Sequence, residues 1–491
     1  MCCVPRLGPA PMQLVPVFEQ ILKPSRPEGR QGETALSPLD QVNVITATAR
    51  SWGFPGSRLV VAALEAALQA TIDDLPFLAG RISKMKGLSL GSLSIVHTGA
   101  GVVFSMQSSD DVAVAAMGPA SWPHPCITIS SPAVPFYIPP MNGQRILAGS
   151  DPLMRVQVTR LSDGDILAIS ISHVITDGCR WPALTAHLAA RYREHASGVP
   201  ADPSHLLQPT DRRLMSSADM AVQLGCQEGA WRSHRPAVAG SLSGYWNLGK
   251  LLLGNAWQQM ELQMLYIPAA QVAALKQLAT EGNPVAAVTT GDAVQAACAL
   301  LLHAALDLPL LPIKPHSMAA LVQQATPPGY TGNAAYMLRV NLPPGTQQPA
   351  PGDGFGALRQ LAGAVRAATA AFRASPEAGL RELRDAEALV AAPLGSMLSF
   401  LAQARMPLLT CTTNYVPQQQ DIDLGLGPST YQLGMTMPRA KDMAVIRPAC
   451  HPYSPGLFAQ LCLQPHQAAR LRCLPLLAQL LPQATWVGAA A

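Results

Sequence analysis

His173 stands four residues before Asp177, and Gly178 follows, in the stretch SHVITDGCRW (172–181). A neutral imidazole titrates near neutral pH and can take a proton from a substrate as a general base. Partial burial favours the neutral form that a base requires. Asp177 has three roles open to it: orienting the imidazole, capping a following helix, or pairing with an arginine elsewhere. Gly178 permits a sharp turn that other residues resist. A satisfied turn histidine with an N-capping aspartate is the plain alternative, and the motif alone does not separate the two.

The elements that must position these residues are legible around them. DILAISIS (165–172) is a short apolar, β-branched run and reads as a strand. Alternation puts Leu167, Ile169, Ile171 and His173 on one face, so the imidazole emerges beside an apolar surface at a strand end. Such ends are common places for chemistry in α/β sheets. MRVQVTRL (154–161) alternates as a strand, and Gly164 leads into the next one, which predicts a hairpin. WPALTAHLAARYREH (181–195) predicts a helix, with Pro182 in its tolerant first turn.

Farther out, 60–75, 291–306, 357–374 and 465–481 carry helical spacing, while 406–416 and 457–465 read as strands. Thr289, Thr290 and Asp292 are available to cap the 291–306 helix. The segment 196–243 is rich in Pro, Ser, Gly and Asp and reads as a connection between domains containing one helix. Strands and helices mix in both halves, which predicts two α/β layered domains.

Composition narrows the function classes. The chain has 491 residues, 49% hydrophobic and 13% charged, enough to bury a large core. Net charge is +4, and the densest basic group, DRRL (211–214), is short, so no nucleic-acid footprint is expected. Ten cysteines include no CxxC pair, so no metal site is expected, and the thiols suit a reducing compartment. Cys2 and Cys3 are read as part of an N-terminal tail. The longest apolar run, 388–402, is broken by Pro393 and Gly395 and falls short of the roughly 20 residues of a span. A cytoplasmic protein without a membrane span is the expectation.

A second motif changes the weight of the first. DIDLGLGP (421–428) holds D-x-G-x-G, and it follows H-x-x-x-D-G in the chain. Together they resemble the signatures HxxxD and DFGWG of the BAHD family of acyl-CoA-dependent acyltransferases. LSPLDQ (36–41), LPFLAGRIS (75–83), ILKPSRP (21–27), TTGDAVQAACALLLHA (289–304) and PPGYTGNAAY (327–336) are similar to further family segments. The seven segments keep one order, and the resemblance runs from about residue 13 to 482.

The resemblance implies an α/β fold of two chloramphenicol-acetyltransferase-like domains. Each is a mixed sheet flanked by helices, and a channel runs between them. The division expected is 1–215, a crossover at 216–250, and 251–491. His173 would be the general base for transfer from acyl-CoA, a co-substrate, to a small alcohol or amine. No cofactor is bound permanently, no acyl-enzyme forms, and a monomer is usual. Asp177 would be structural, turned away and paired with an arginine that the sequence does not identify. Gly178, Asp423, Gly425 and Gly427 would shape the site from outside the reacting atoms.

Leu424 and Leu426 replace the aromatics of DFGWG, so an indole N–H is lost. Asn333, Thr412 and Thr413 are candidates for an oxyanion or substrate contact, against a reading as buried structural groups. Val416 stands where members acting on shikimate or quinate carry a basic residue. Two alternatives keep the fold. One is a condensation or wax-ester type with HHxxxDG, where Ser172 replaces the first histidine. The other is a ligand-binding protein without turnover.

Overall fold

A computed structural model describes residues 14–83, 93–114, 141–178, 180–226, 261–283, 287–306, 312–317, 330–340, 353–392, 409–413, 422–427, 429, 431–437, 443–449, 453 and 455–487. Its elements form two large mixed sheets, each backed by helices, and one small sheet.

The first sheet runs Val15–Leu22, Val102–Ser109, Met154–Leu161, Gly164–Ser172, Ala47–Pro55 and Tyr431–Met437. Met154–Leu161 and Gly164–Ser172 form the expected hairpin, with Leu161 opposite Gly164. Gly164 has a steric reason: an added Cβ would lie 2.2 Å from the Phe54 carbonyl oxygen. The next residue, buried Asp165, accepts from Arg58 at 3.0 Å and from the Leu59 amide at 2.8 Å, and pairs with Arg160 at 3.0 Å. These bonds tie the start of the strand down. Tyr431–Met437 lies late in the chain yet pairs with Ala47–Pro55, so the second half supplies the sheet's last strand.

One face of this sheet carries Trp52, Val156, Leu167, Ile169 and Ile171, all buried in one core with Leu64, Leu68 and Leu188. The last three lie on the helices Val61–Asp74 and Trp181–Ser197. Trp181–Ser197 starts with Pro182 in its first turn and stops at Gly198, whose φ of 73° is left-handed.

The second sheet runs Ala335–Arg339, Pro312–Ser317, Leu409–Thr413, Met443–Pro448, Gly456–Leu463, Glu261–Pro268 and Thr485–Trp486. Thr290–Leu306 and Gly354–Ala374 bury their apolar faces in its core. The expected cap at Thr290–Leu306 is reciprocal. Asp292 N donates to Thr289 Oγ1 at 3.2 Å, and Thr289 N donates back to Asp292 Oδ2 at 3.0 Å.

Two differences from the sequence expectation have local causes, and one further expectation is met. The closing helix is two helices, Pro465–Arg472 and Pro475–Leu480. Pro475 has no N–H for a continuing helix and pushes Leu474 into extended geometry (ψ 123°). A helix at Pro376–Ala391 was not expected, although Ser375 caps it and Pro376 opens it. The one helix expected in the connecting segment is Ser217–Leu224. No helix among the described residues is long and apolar enough to cross a membrane.

Candidate active site

His173 follows directly on Gly164–Ser172, and its N–H extends the ladder by donating to the Thr46 carbonyl at 2.8 Å. The chain then turns, with the Ile175 N–H on the Ser172 carbonyl at 3.0 Å. The imidazole is half-buried, and its buried Nδ1 has no hydrogen-bond partner among the described residues.

Asp177 does not reach back to that ring. Its Oδ1 accepts from the Arg180 amide at 2.9 Å, just ahead of the helix Trp181–Ser197. Its Oδ2 accepts from the Ala334 amide at 2.9 Å. One carboxylate thus caps a local turn and takes an N–H from a segment 157 residues away. The Gly178 carbonyl faces Arg50 Nη2 at 3.4 Å, and the Arg50 guanidinium lies 5.2 Å over the Trp181 ring.

The arginine that serves this turn is Arg212. Its guanidinium donates to the carbonyls of Val174 (2.5 Å) and Ile175 (2.8 Å), the two residues after His173. It also donates to Thr331 Oγ1 at 3.1 Å and pairs with Asp40 at 3.5 Å. Arg212 came from DRRL, read in sequence only as a short basic group, so its part here had no sequence signal of its own.

Asp40, from LSPLDQ, is wholly buried and has four partners, three hydrogen-bond donors and one ion-pair partner. These are the Ser37 amide (3.0 Å), the Asn333 amide (2.7 Å), the Asn333 side chain (2.8 Å) and Arg212. Asn333 Nδ2 also donates to the His173 carbonyl at 2.6 Å. Both N–H groups of its carboxamide are therefore committed to protein acceptors, which leaves it no donor for an oxyanion. The neighbouring Tyr330 hydroxyl is pushed far above its ordinary pKa by burial, with Asp40 adding to the effect. Thr412 and Thr413 lie on the strand Leu409–Thr413 of the second sheet, with their side chains outside the described residues, as is Val416.

The DLGLG loop lies elsewhere. Gly425 and Gly427 adopt φ of 73° and 83°, a region that favours glycine. Asp423 Oδ1 accepts from the Gly425 amide at 3.0 Å, and Asp423 pairs with Arg193 at 3.1 Å. Arg193 also donates to the Asp423 carbonyl. Ile422 and Leu424 are buried in the first core. Arg193 is twelve residues beyond the helix start at Trp181, or about 18 Å along the axis at 1.5 Å per residue. The loop therefore docks far from the His173 turn and staples the second half of the chain to the first. Apolar volume at Leu424 does this without an aromatic ring.

Among the described residues, no cluster of three His, Cys, Asp or Glu side chains is placed to hold a metal.

Residues 16–227 match the sequence model of the transferase family. No curated protein matches the chain. Among solved structures, F. graminearum TRI101 complexed with coenzyme A and deoxynivalenol matches with a TM-score of 0.66 at 14% identity, covering 93% of this chain and 100% of that one. Vinorine synthase matches at 0.61 and 15%, covering 97% and 100%. The first condensation domain of the calcium-dependent antibiotic synthetase matches at 0.53 and 16%, covering 94% and 99%. The mixed two-sheet fold expected from sequence is the fold these proteins share.

Proposed function

We propose that this chain, a transferase-family protein over residues 16–227, moves an acyl group from acyl-CoA to the hydroxyl or amine of a small acceptor. The observation that carries the reading is the half-buried His173, fixed at a strand end by hydrogen bonds on both sides of its backbone. The solved relative bound to coenzyme A and a small toxin supports a CoA thioester as donor and a small molecule as acceptor.

His173 takes the proton of the acceptor O–H or N–H as that atom attacks the thioester carbonyl carbon. A tetrahedral oxyanion forms. Its collapse breaks the C–S bond and expels the CoA sulfur, which receives the proton from the imidazolium and leaves as thiol. The acyl group goes directly from sulfur to acceptor, so no covalent acyl-enzyme is needed. Holding both substrates against one base supplies much of the acceleration. Asp177, Gly178, Asp423, Gly425 and Gly427 act on the shape of the turn and the docking of the two halves.

The division 1–215, 216–250 and 251–491, with Tyr431–Met437 lent to the first sheet, belongs to the same reading, as does a channel between the halves. A monomer in the cytoplasm completes it. Cys226, Cys298 and Cys473 as free thiols fit that location, and burial pushes the Cys298 thiol up to about 12.

Purified protein incubated with a panel of acyl-CoAs and acceptors should release free thiol only when both substrates are present. Wild-type protein that releases none across the panel, or a His173→Ala variant as fast as wild type, would overturn the proposal.

A further inference from the structure

We propose that Asn333, held by Asp40, which itself pairs with Arg212, is a positioning residue for His173. This rests on the reading of His173 as the base. Among the described residues the imidazole has no hydrogen-bond partner at its buried Nδ1, so the hydrogen bonds that fix His173 are those on its backbone. On one side the His173 N–H is fixed to Thr46. On the other, the His173 carbonyl is fixed by Asn333 at 2.6 Å.

Asn333 can act as a fixed point because it is itself pinned. It is buried, and both its backbone and side-chain N–H groups reach Asp40 Oδ1, at 2.7 and 2.8 Å. Asp40 is held in turn by the Ser37 cap and by Arg212. Arg212 returns to the turn at Val174 and Ile175, and Ala334 returns to it at Asp177. The circuit is closed: residues 173, 174, 175 and 177 are each bonded to residue 212, 333 or 334. The base is set by a strand from the first half and by a segment that leads into the second sheet.

A group that acts through His173 should alter turnover more than substrate affinity, because a displacement of about 1 Å in a reacting group can cost on the order of 100-fold in rate. Asn333→Ala is expected to lower kcat per folded molecule about 10- to 100-fold, with KM for both substrates nearly unchanged. Asp40→Asn should lower it as well. The losses should not multiply in Asn333→Ala/Asp40→Asn, since both variants break one circuit.

The second readout does not need activity. The His173 ring Cε1–H resonance, identified as the signal missing from His173→Ala, should broaden or divide in Asn333→Ala as the ring samples more orientations. Unchanged kcat together with an unchanged ring signal would overturn the proposal. Equal loss of kcat and folded fraction, with a normal ring signal, would overturn it too by assigning Asn333 to stability alone. If wild-type protein turns over no acyl-CoA, the functional reading fails, and the ring signal still decides whether Asn333 positions His173. Should Asn333→Ala not fold, Thr331→Val decides instead. It takes only the Thr331 hydroxyl from Arg212 and should shift kcat and the ring signal in the same direction by less.

Discussion

Arg212 and Asp40 face each other at 3.5 Å with 1% and 0% of their side chains exposed, behind the turn that carries His173. The two residues come from two of the segments that meet there, around residues 40 and 212, with 331–334 packed beside them. Nothing between them in the chain is needed to bring them together except the fold.

Removing one partner of a buried ion pair leaves the other charge without compensation and costs about 3–5 kcal/mol. Arg212→Met is expected to lower unfolding free energy by that amount, because Asp40 stays buried. Arg212→Met/Asp40→Asn should be more stable than Arg212→Met alone. Denaturant unfolding of both single variants and the double measures this, and losses that simply add in the double variant would show that the pair is not coupled.

The candidate base makes a sharper prediction about rate. General-base catalysis by a positioned side chain contributes about 10²- to 10⁴-fold. His173→Ala should therefore lose thiol release by that factor. Its thermal unfolding should move little, since no group among the described residues bonds to the buried Nδ1.

His187 should act on stability and not on turnover. Its Nδ1 accepts from the Leu207 amide at 2.9 Å, so the proton sits on Nε2, 3.3 Å from Asp74. Burial lowers its pKa to about 4, against the attraction of Asp74. The folded value lies below the ordinary one of about 6.5, so between the two the unfolded chain binds the proton more readily. Stability conferred by the neutral ring is present above pH 6.5 and is lost as pH falls towards 4, by about 3 kcal/mol in all. His187→Asn keeps an acceptor for Leu207 and should flatten that acid slope. A slope unchanged in the variant would remove His187 as its cause.

Gly425→Ala isolates a backbone effect. The new Cβ would meet nothing closer than Arg193 at 3.9 Å, an ordinary contact. The cost is then the left-handed φ of 73°, about 1–2 kcal/mol for a residue with a side chain. Unfolding should show that loss, and kcat per folded molecule should hold, because the loop docks on Arg193 and not on the His173 turn.

Much of the scaffold was legible in the sequence because its causes are local. Alternation in 165–172 set the strand, and His173 stands directly at its end. Pro182 opened the following helix, and the Thr289–Asp292 spacing capped another. The split at Pro475 was as local as these, but apolar spacing at 3.6 residues continued through it and masked the break. The order of HVITDG and DLGLG also gave the sequence's reason to read His173 as a base and not only as a turn residue.

The sequence by itself determined which residue types stand where: a histidine at a strand end, an aspartate able to cap, a D-x-G-x-G loop and an LSPLDQ segment ahead of them. It did not determine who bonds to whom. Asp40, Asp177 and Asn333 each have several acceptors or donors within chemical reason, and a hydrogen bond across 160 or 293 residues leaves no trace in local spacing. Tertiary packing decided that Asp177 serves Arg180 and Ala334 and that Arg212 pairs with Asp40. It also decided that Asn333 spends its amide on the His173 carbonyl. The physical reason is desolvation: once these groups are buried, each must find a partner among whatever the two sheets bring within about 3 Å, and only the folded chain fixes that set.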